Sequence, residues 1–251
     1  GSKTEICQPY SHSPRTTFWI ILIKARDDDT FYGLTAGQFQ TNDNLDGKGG
    51  TDKVIAVVAS SSTVRPITDN IETINIESSE AGAGANTMTI NLDQTSDVTL
   101  LDIENHASTN TAEDAFSVTG IPTSTKVRWS SDLSTGNEDN TLTIAFTGAT
   151  GTADSATIEV DSAIAATTFG AITAASIETL TVNSVGGKDA TYALSAADAT
   201  TLNIGASADS GGTASVTAAK VTTVNIDSAD DLTLTDTNLA KAFTYTIATT
   251  T

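Results

Sequence analysis

Three segments of the chain align without a gap at a spacing of 22 residues: 172–182 (ITAASIETLTV), 194–204 (LSAADATTLNI) and 216–226 (VTAAKVTTVNI). Leu180, Leu202 and Val224 share one column, and Val182, Ile204 and Ile226 share another two positions on. Ile158 and Val160 are read into the same columns one period earlier. Polar columns alternate with these: Thr157, Thr179, Thr201 and Thr223, then Glu159, Thr181, Asn203 and Asn225. Ile172, Leu194 and Val216 form a further apolar column, and Ala174, Ala196 and Ala218 mark a tight place before each strand. Alternation with a period of two is a strand with one face buried. Its recurrence at a fixed step lets equivalent strands stack in register, about 4.8 Å apart.

A 22-residue step is shorter than a βαβ unit, which needs about 30 residues or more. It matches one coil of a parallel β-solenoid, with two or three short strands joined by turns. The expected fold class is therefore all-β, a parallel β-solenoid with coils of about 22 residues; the alternative is a β-sandwich of short strands. The 46 Thr and 24 Ser, interleaved with Val, Ile and Leu, suit strands and disfavour long helices. In the N-terminal half, 67–78 (ITDNIETINIES) echoes 172–184 with one residue deleted. Strands are expected at 88–92, 98–103, 116–118, 126–129 and 142–146, as irregular coils with insertions. The organisation read from this is an N-terminal arm or cap over 1–26, a Gly/Asp-rich lead-in region carrying a calcium loop over 27–66, and solenoid repeats over 67–251. The arm holds Cys7, Pro9, Pro14 and the apolar run Trp19 to Ile23, and it is expected to cover the open edge of the first coil. Gly1-Ser2 reads as a cloning remnant.

Charge narrows the function classes. With 31 Asp and Glu against 12 Lys and Arg, the formal charge is −19, which disfavours nucleic acid and anionic lipid as partners. Divalent cations are the natural counter-ligands of such a carboxylate surplus. One cysteine leaves no intramolecular disulfide and no Cys-rich zinc site. The longest apolar run, residues 18–23, is too short to span a bilayer, so a membrane-embedded chain is not expected.

The segment Asp46-Gly47-Lys48-Gly49-Gly50-Thr51-Asp52-Lys53-Val54 resembles the calcium-binding repeat of RTX proteins, G-G-x-G-x-D-x-U-x. Gly47, Gly50, Asp52 and Val54 match it, while Lys48 replaces a glycine. Glycines turn the backbone so that carbonyls face a cation, and the aspartate adds charge. Asn42-x-Asn44-x-Asp46-Gly47 overlaps it and matches the first half of an EF-hand loop, but Lys53 stands where the bidentate Glu belongs. The candidate metal ligands are Asp43, Asn44, Asp46, Gly47, Gly50 and Asp52, with calcium as the ion. Asp27 to Asp29 could add ligands, or be a solvated turn.

Enzyme signatures are missing: there is no H-E-x-x-H, G-x-S-x-G, P-loop or dinucleotide fingerprint. His12 and His106 lie in polar stretches and read as loop residues. Polysaccharide lyases on parallel β-helices have coils of this length but use basic grooves, and after residue 129 only Lys188, Lys220 and Lys241 are basic. No catalytic residue is assigned. The outward pairs Thr179/Thr181 and Thr233/Thr235 resemble the flat Thr faces of ice-binding solenoids, but the column turns to Asn at 203 and 225, so ordinary solvent-facing Thr is the reading kept.

The recurring I-T-x-x-x-I-E-T-L-x-V segments, the single L-D-G-x-G-G-T-D-x-V turn, the abundance of Thr, Ser, Ala and Asp and the scarcity of Cys and Lys resemble the β-strand-repeat proteins of bacterial surface layers, a group overlapping RTX-like exported proteins. The resemblance covers residues 30–240. It implies a right-handed coil, secretion to the bacterial cell surface by type I export, and calcium-dependent self-assembly, although 242–251 show no secretion-signal pattern. The expected function is that of an extracellular structural protein, not an enzyme, which assembles copies of itself with calcium into a surface-layer lattice or filament. Cell-surface polysaccharide is a further partner. The alternatives are a cell-surface adhesin or carbohydrate-binding β-helix, and a polysaccharide-active enzyme.

Overall fold

The computed structural model of the chain describes residues 4–6, 27–59, 61–79, 87–105, 115–131, 136–138, 140–236 and 244–249. In chain order the strands are β1 (Thr4–Ile6), β2 (Thr30–Gly33), β3 (Asn44–Asp46), β4 (Lys53–Ala59), β5 (Thr63–Val64), β6 (Ile67–Asp69), β7 (Thr73–Ser79) and β8 (Thr87–Asn91). They continue with β9 (Leu100–Asn105), β10 (Ala115–Pro122), β11 (Lys126–Ser131), β12 (Gly136–Glu138), β13 (Thr141–Thr147), β14 (Ser155–Ser162) and β15 (Thr167–Ala175). The last are β16 (Thr179–Val185), β17 (Ala190–Ser195), β18 (Thr201–Ala206), β19 (Gly212–Thr217), β20 (Thr223–Ser228), β21 (Leu232–Asp236) and β22 (Thr244–Thr249).

Successive coils deal their strands alternately to two long sheets, and every pairing is parallel. The first sheet runs β1-β2-β4-β7-β9-β11-β14-β16-β18-β20-β22. The second runs β5-β8-β10-β13-β15-β17-β19-β21, with β12 beside β15, and β3 pairs with β6 in a short third sheet at a corner. This is the expected parallel β-solenoid, all-β and free of helix among the described residues. Because β2 and β4 belong to the same sheet as β7, residues 27–66 supply coils of the same stack as residues 67–249. Of the arm expected over 1–26, only Thr4–Ile6 is described, lying parallel to Thr30–Tyr32. The rest, with Cys7, His12 and the apolar run, lies outside the described residues, as does His106.

The 22-residue step holds from β16 to β20, where Thr179, Thr201 and Thr223 pair in register. Elsewhere the coils stretch, and one alignment shifts: Ile158 pairs with Val182, not with Leu180, and Ala156 takes the Leu180 column. Two inserted residues account for it. One enlarges the turn before β15 (twelve residues from Ser155 to Thr167 against eleven from Thr179 to Ala190), and one bulges out of β15 between Thr168 and Ala171. A slip of two preserves the inward face, so Ile158 and Val160 remain buried.

The core lies between the sheets. Ile74, Leu101, Val127, Ile158, Val182 and Ile204 point in from the first, and Ile90, Val118, Ile144, Ile172, Leu194 and Val216 from the second, all buried. Each such side chain contributes about 1.5–3 kcal/mol by leaving water. Trp129 packs edge-on against Phe169, with ring centroids 5.2 Å apart. Tyr192 is also inside, facing Ser184, and burial pushes its phenol up to about 12.

The I-E-T motif has a positional meaning. Ile71 and Ile177 fill the corner that precedes β7 and β16. Glu72 and Glu178, next in sequence, accept the main-chain N–H of Asp52 (2.6 Å) and Asp154 (3.0 Å) from the preceding coil. Where threonine stands at this corner its hydroxyl instead donates backward to a carbonyl, as Thr99 does to Glu72 and Thr200 to Glu178. Both choices satisfy main-chain groups that a sharp corner would otherwise leave bare. The first strand of the second sheet, β5, is covered by residues 35–43. Thr41 donates to the Thr63 carbonyl and accepts from Arg65 N–H, both at 3.1 Å, in place of a paired strand.

Candidate functional site

The Gly/Asp-rich turn joins β3 to β4. Lys48 holds φ at 67° where the calcium repeat has glycine, and Gly50 lies at 135°. Gly50 also admits no side chain, because a Cβ there would lie 2.7 Å from the Asp27 carbonyl. The run 27–29 docks on this turn: Thr51 N–H donates to Asp28 Oδ1 (2.8 Å), and Asp29 N–H donates to Asp52 Oδ1 (2.8 Å).

The six expected ligands do not face one point. Asp43 is buried and its carboxylate caps the N–H of Gln40 at 2.8 Å; burial raises its pKa against that hydrogen bond. Asn44 lies in β3 beside Ile67. Asp46 is engaged by Lys48 and by the Asn70 amide, at 3.0 Å for the latter, and the Lys48 contact leads in holding it below the usual carboxylate range. Among the described residues, no group of three or more His, Cys, Asp or Glu is arranged to hold a metal ion.

Gly47 and Asp52 do come together. Asp52 is fully buried, and its Oδ2 has no hydrogen-bond partner among the described residues. A Cβ on Gly47 would stand 2.4 Å from that oxygen and 2.1 Å from the carbonyl oxygen of Asn70. Only glycine therefore lets these two acceptors converge. Burial first, and then the negative charges of Glu72, Asp29 and Asp28, push the Asp52 carboxyl up. The two acceptors are oxygens of the kind calcium takes, but they are two of the roughly six to eight that such an ion needs. Asn70 and Glu72 come from the following coil, and the motif could not point to them.

A second polar assembly lies on the outer face of the first sheet. Glu159 is clamped by Lys126 Nζ (2.6 Å) and by Arg128 Nε and Nη2 (2.9 and 2.7 Å). Arg128 also faces Asp102 at 3.9 Å and Asp161 at 3.6 Å. Burial pushes Glu159 up, but the two cations outweigh it and hold the carboxyl low. Asp161 moves the other way: burial raises it more than Arg128 lowers it. Farther along the same face Asn225 donates to Asn203 (2.8 Å) and Asn203 to Thr181 (3.0 Å).

The second sheet's outer face is different. One column reads Thr63, Thr89, Ser117, Thr143, Thr173, Ser195 and Thr217 over seven successive strands. Another reads Thr168, Thr191, Thr213 and Thr233. No charged residue stands at the outward positions of β8, β10, β13, β15, β17, β19 or β21.

The chain matches no protein-family model, and comparison with curated proteins and with solved structures finds no significant match.

Proposed function

We propose that this chain is an extracellular structural protein of a bacterial cell surface, which joins copies of itself, with calcium, into a surface-layer lattice or filament. The observation that carries this reading is the division of an acidic, repetitive rod into one charged and one uncharged broad face. Like-charged rods repel through the first and can approach through the second. Calcium would be held at Asp52 and the Asn70 carbonyl, where it would offset the charge of Asp28, Asp29 and Glu72. Asp43 and Asp46, engaged elsewhere, are left out of that set.

Negative-stain micrographs of the purified protein with calcium and with a chelator test the proposal. Ordered arrays that dissolve in chelator are expected; dispersed single particles under both conditions would defeat it. A carbohydrate-binding surface is the second reading, favoured by the four charged side chains, Lys126, Asp102, Glu159 and Asp161, gathered around Arg128. Tyr192 gives it no help, since that ring is inside the core. Binding to neutral glycans that Arg128→Ala abolishes would select it.

A further inference from the structure

We propose that the threonine face of the second sheet pairs with the same face of a second copy. The pairing rests on the self-assembly proposed above and names the surface that brings it about. Three features point to a copy of this chain as the occupant. The first is charge: on a chain of net charge −19, the outward positions of seven strands in this sheet carry none, so two copies meet here without bringing carboxylates together.

The second is period. Rungs along the face repeat at about 4.8 Å, and only a partner with the same repeat offers a counterpart to every rung. A second copy has it by construction, and a two-fold axis makes the contact self-complementary. The third is size. From Thr63 to Thr217 the column spans six rung steps, about 30 Å, and the outward columns cover a width of about 15 Å. Two such patches bury on the order of 1,000 Å², the lower bound of a specific interface. The short side chains let the sheets approach closely. Where β15 bulges, a depression of about 370 Å³ lined by Thr168, Gly170, Ala171, Thr191, Ala193 and Ser215 interrupts the flat array and can fix the register.

Sedimentation of the full chain at several concentrations tests the pairing, using wild type, a Thr143→Glu/Ser195→Glu variant and a Thr181→Glu variant on the opposite face. Wild type and Thr181→Glu should form dimers, and the double variant should weaken dimerisation at least about a hundredfold while keeping its melting transition. If the double variant does not fold, Thr143→Lys with Ser195→Lys takes its place against wild type, since like charge of either sign must separate the copies. Dimers that survive in a folded double variant, or a monomeric wild type, would overturn the proposal, as would a wild-type monomer that arrests ice growth through this face. Arrays that persist in a folded double variant would reject the pairing but leave the assembly standing. Wild-type dimers lost in that variant, with no arrays under any condition, would support the pairing and reject the lattice.

Discussion

The main-chain N–H of Asp154 donates to Oε2 of Glu178 at 3.0 Å, tying the start of one coil to the corner of the next. Glu72 makes the same contact with Asp52 in the N-terminal half. Glu178→Gln keeps an acceptor at this place, whereas Glu178→Ala leaves the Asp154 amide bare. Chemical denaturation should show Glu178→Ala destabilised by about 1 kcal/mol and Glu178→Gln nearly unchanged. Equal loss in both variants would show that the charge, not the hydrogen bond, is what matters.

Gly212 leads into β19 with φ at 116°, and a Cβ there would lie 2.2 Å from the carbonyl oxygen of Ala190 on the adjacent strand. Gly212→Ala must displace one strand from the other. A loss of about 2 kcal/mol or more is expected from thermal melts. A melt that matches wild type would mean the corner relaxes freely.

Acidification separates two carboxyls on the charged face. Asp161 is raised in the folded state, so the folded chain binds its proton more readily than the unfolded chain does, and stability attributable to this group falls as pH rises through the raised value. Glu159 is lowered, so its contribution is present above the unfolded value of about 4.5 and fades as pH falls through the folded value. Replacing Asp161 by Asn should therefore remove a penalty at neutral pH and abolish the fall in stability that begins above the ordinary Asp value of 3.8. A profile parallel to that of wild type would contradict the assignment.

Asp52→Asn retains the acceptor for Asp29 N–H but removes a buried charge beside Glu72, Asp29 and Asp28. Without calcium this variant should melt at least as high as wild type. With calcium, wild type should gain several degrees and the variant should gain little. Identical responses to calcium would place the ion, if any binds, elsewhere.

The inward columns were legible because the step of 22 is constant from residue 179 to residue 228. The sequence pattern puts Ile158 and Val160 two positions out because the pleat repeats every two residues, and an even slip leaves no trace in the hydrophobic pattern. Gly47 and Asp52 were visible as a local motif, and their meeting follows from the turn. Asn70 and Glu72 reach the same place from the next coil; the I-E-T motif marks Glu72 as a repeat position but does not tie it to this turn, and no local pattern marks Asn70. The threonine column from Thr63 to Thr217 is only partly legible: Thr173, Ser195 and Thr217 share the step of 22, but the earlier steps vary between 26 and 30 residues, so no fixed spacing assembles the whole.

Each rung from β16 to β20 meets only the one before it and the one after it, and the edges it presents to the two are nearly alike. Genetic loss or duplication of a single 22-residue unit would therefore change the reach of the molecule by about 4.8 Å and leave its cross-section as it was. Length is thus a heritable dial, set by counting units.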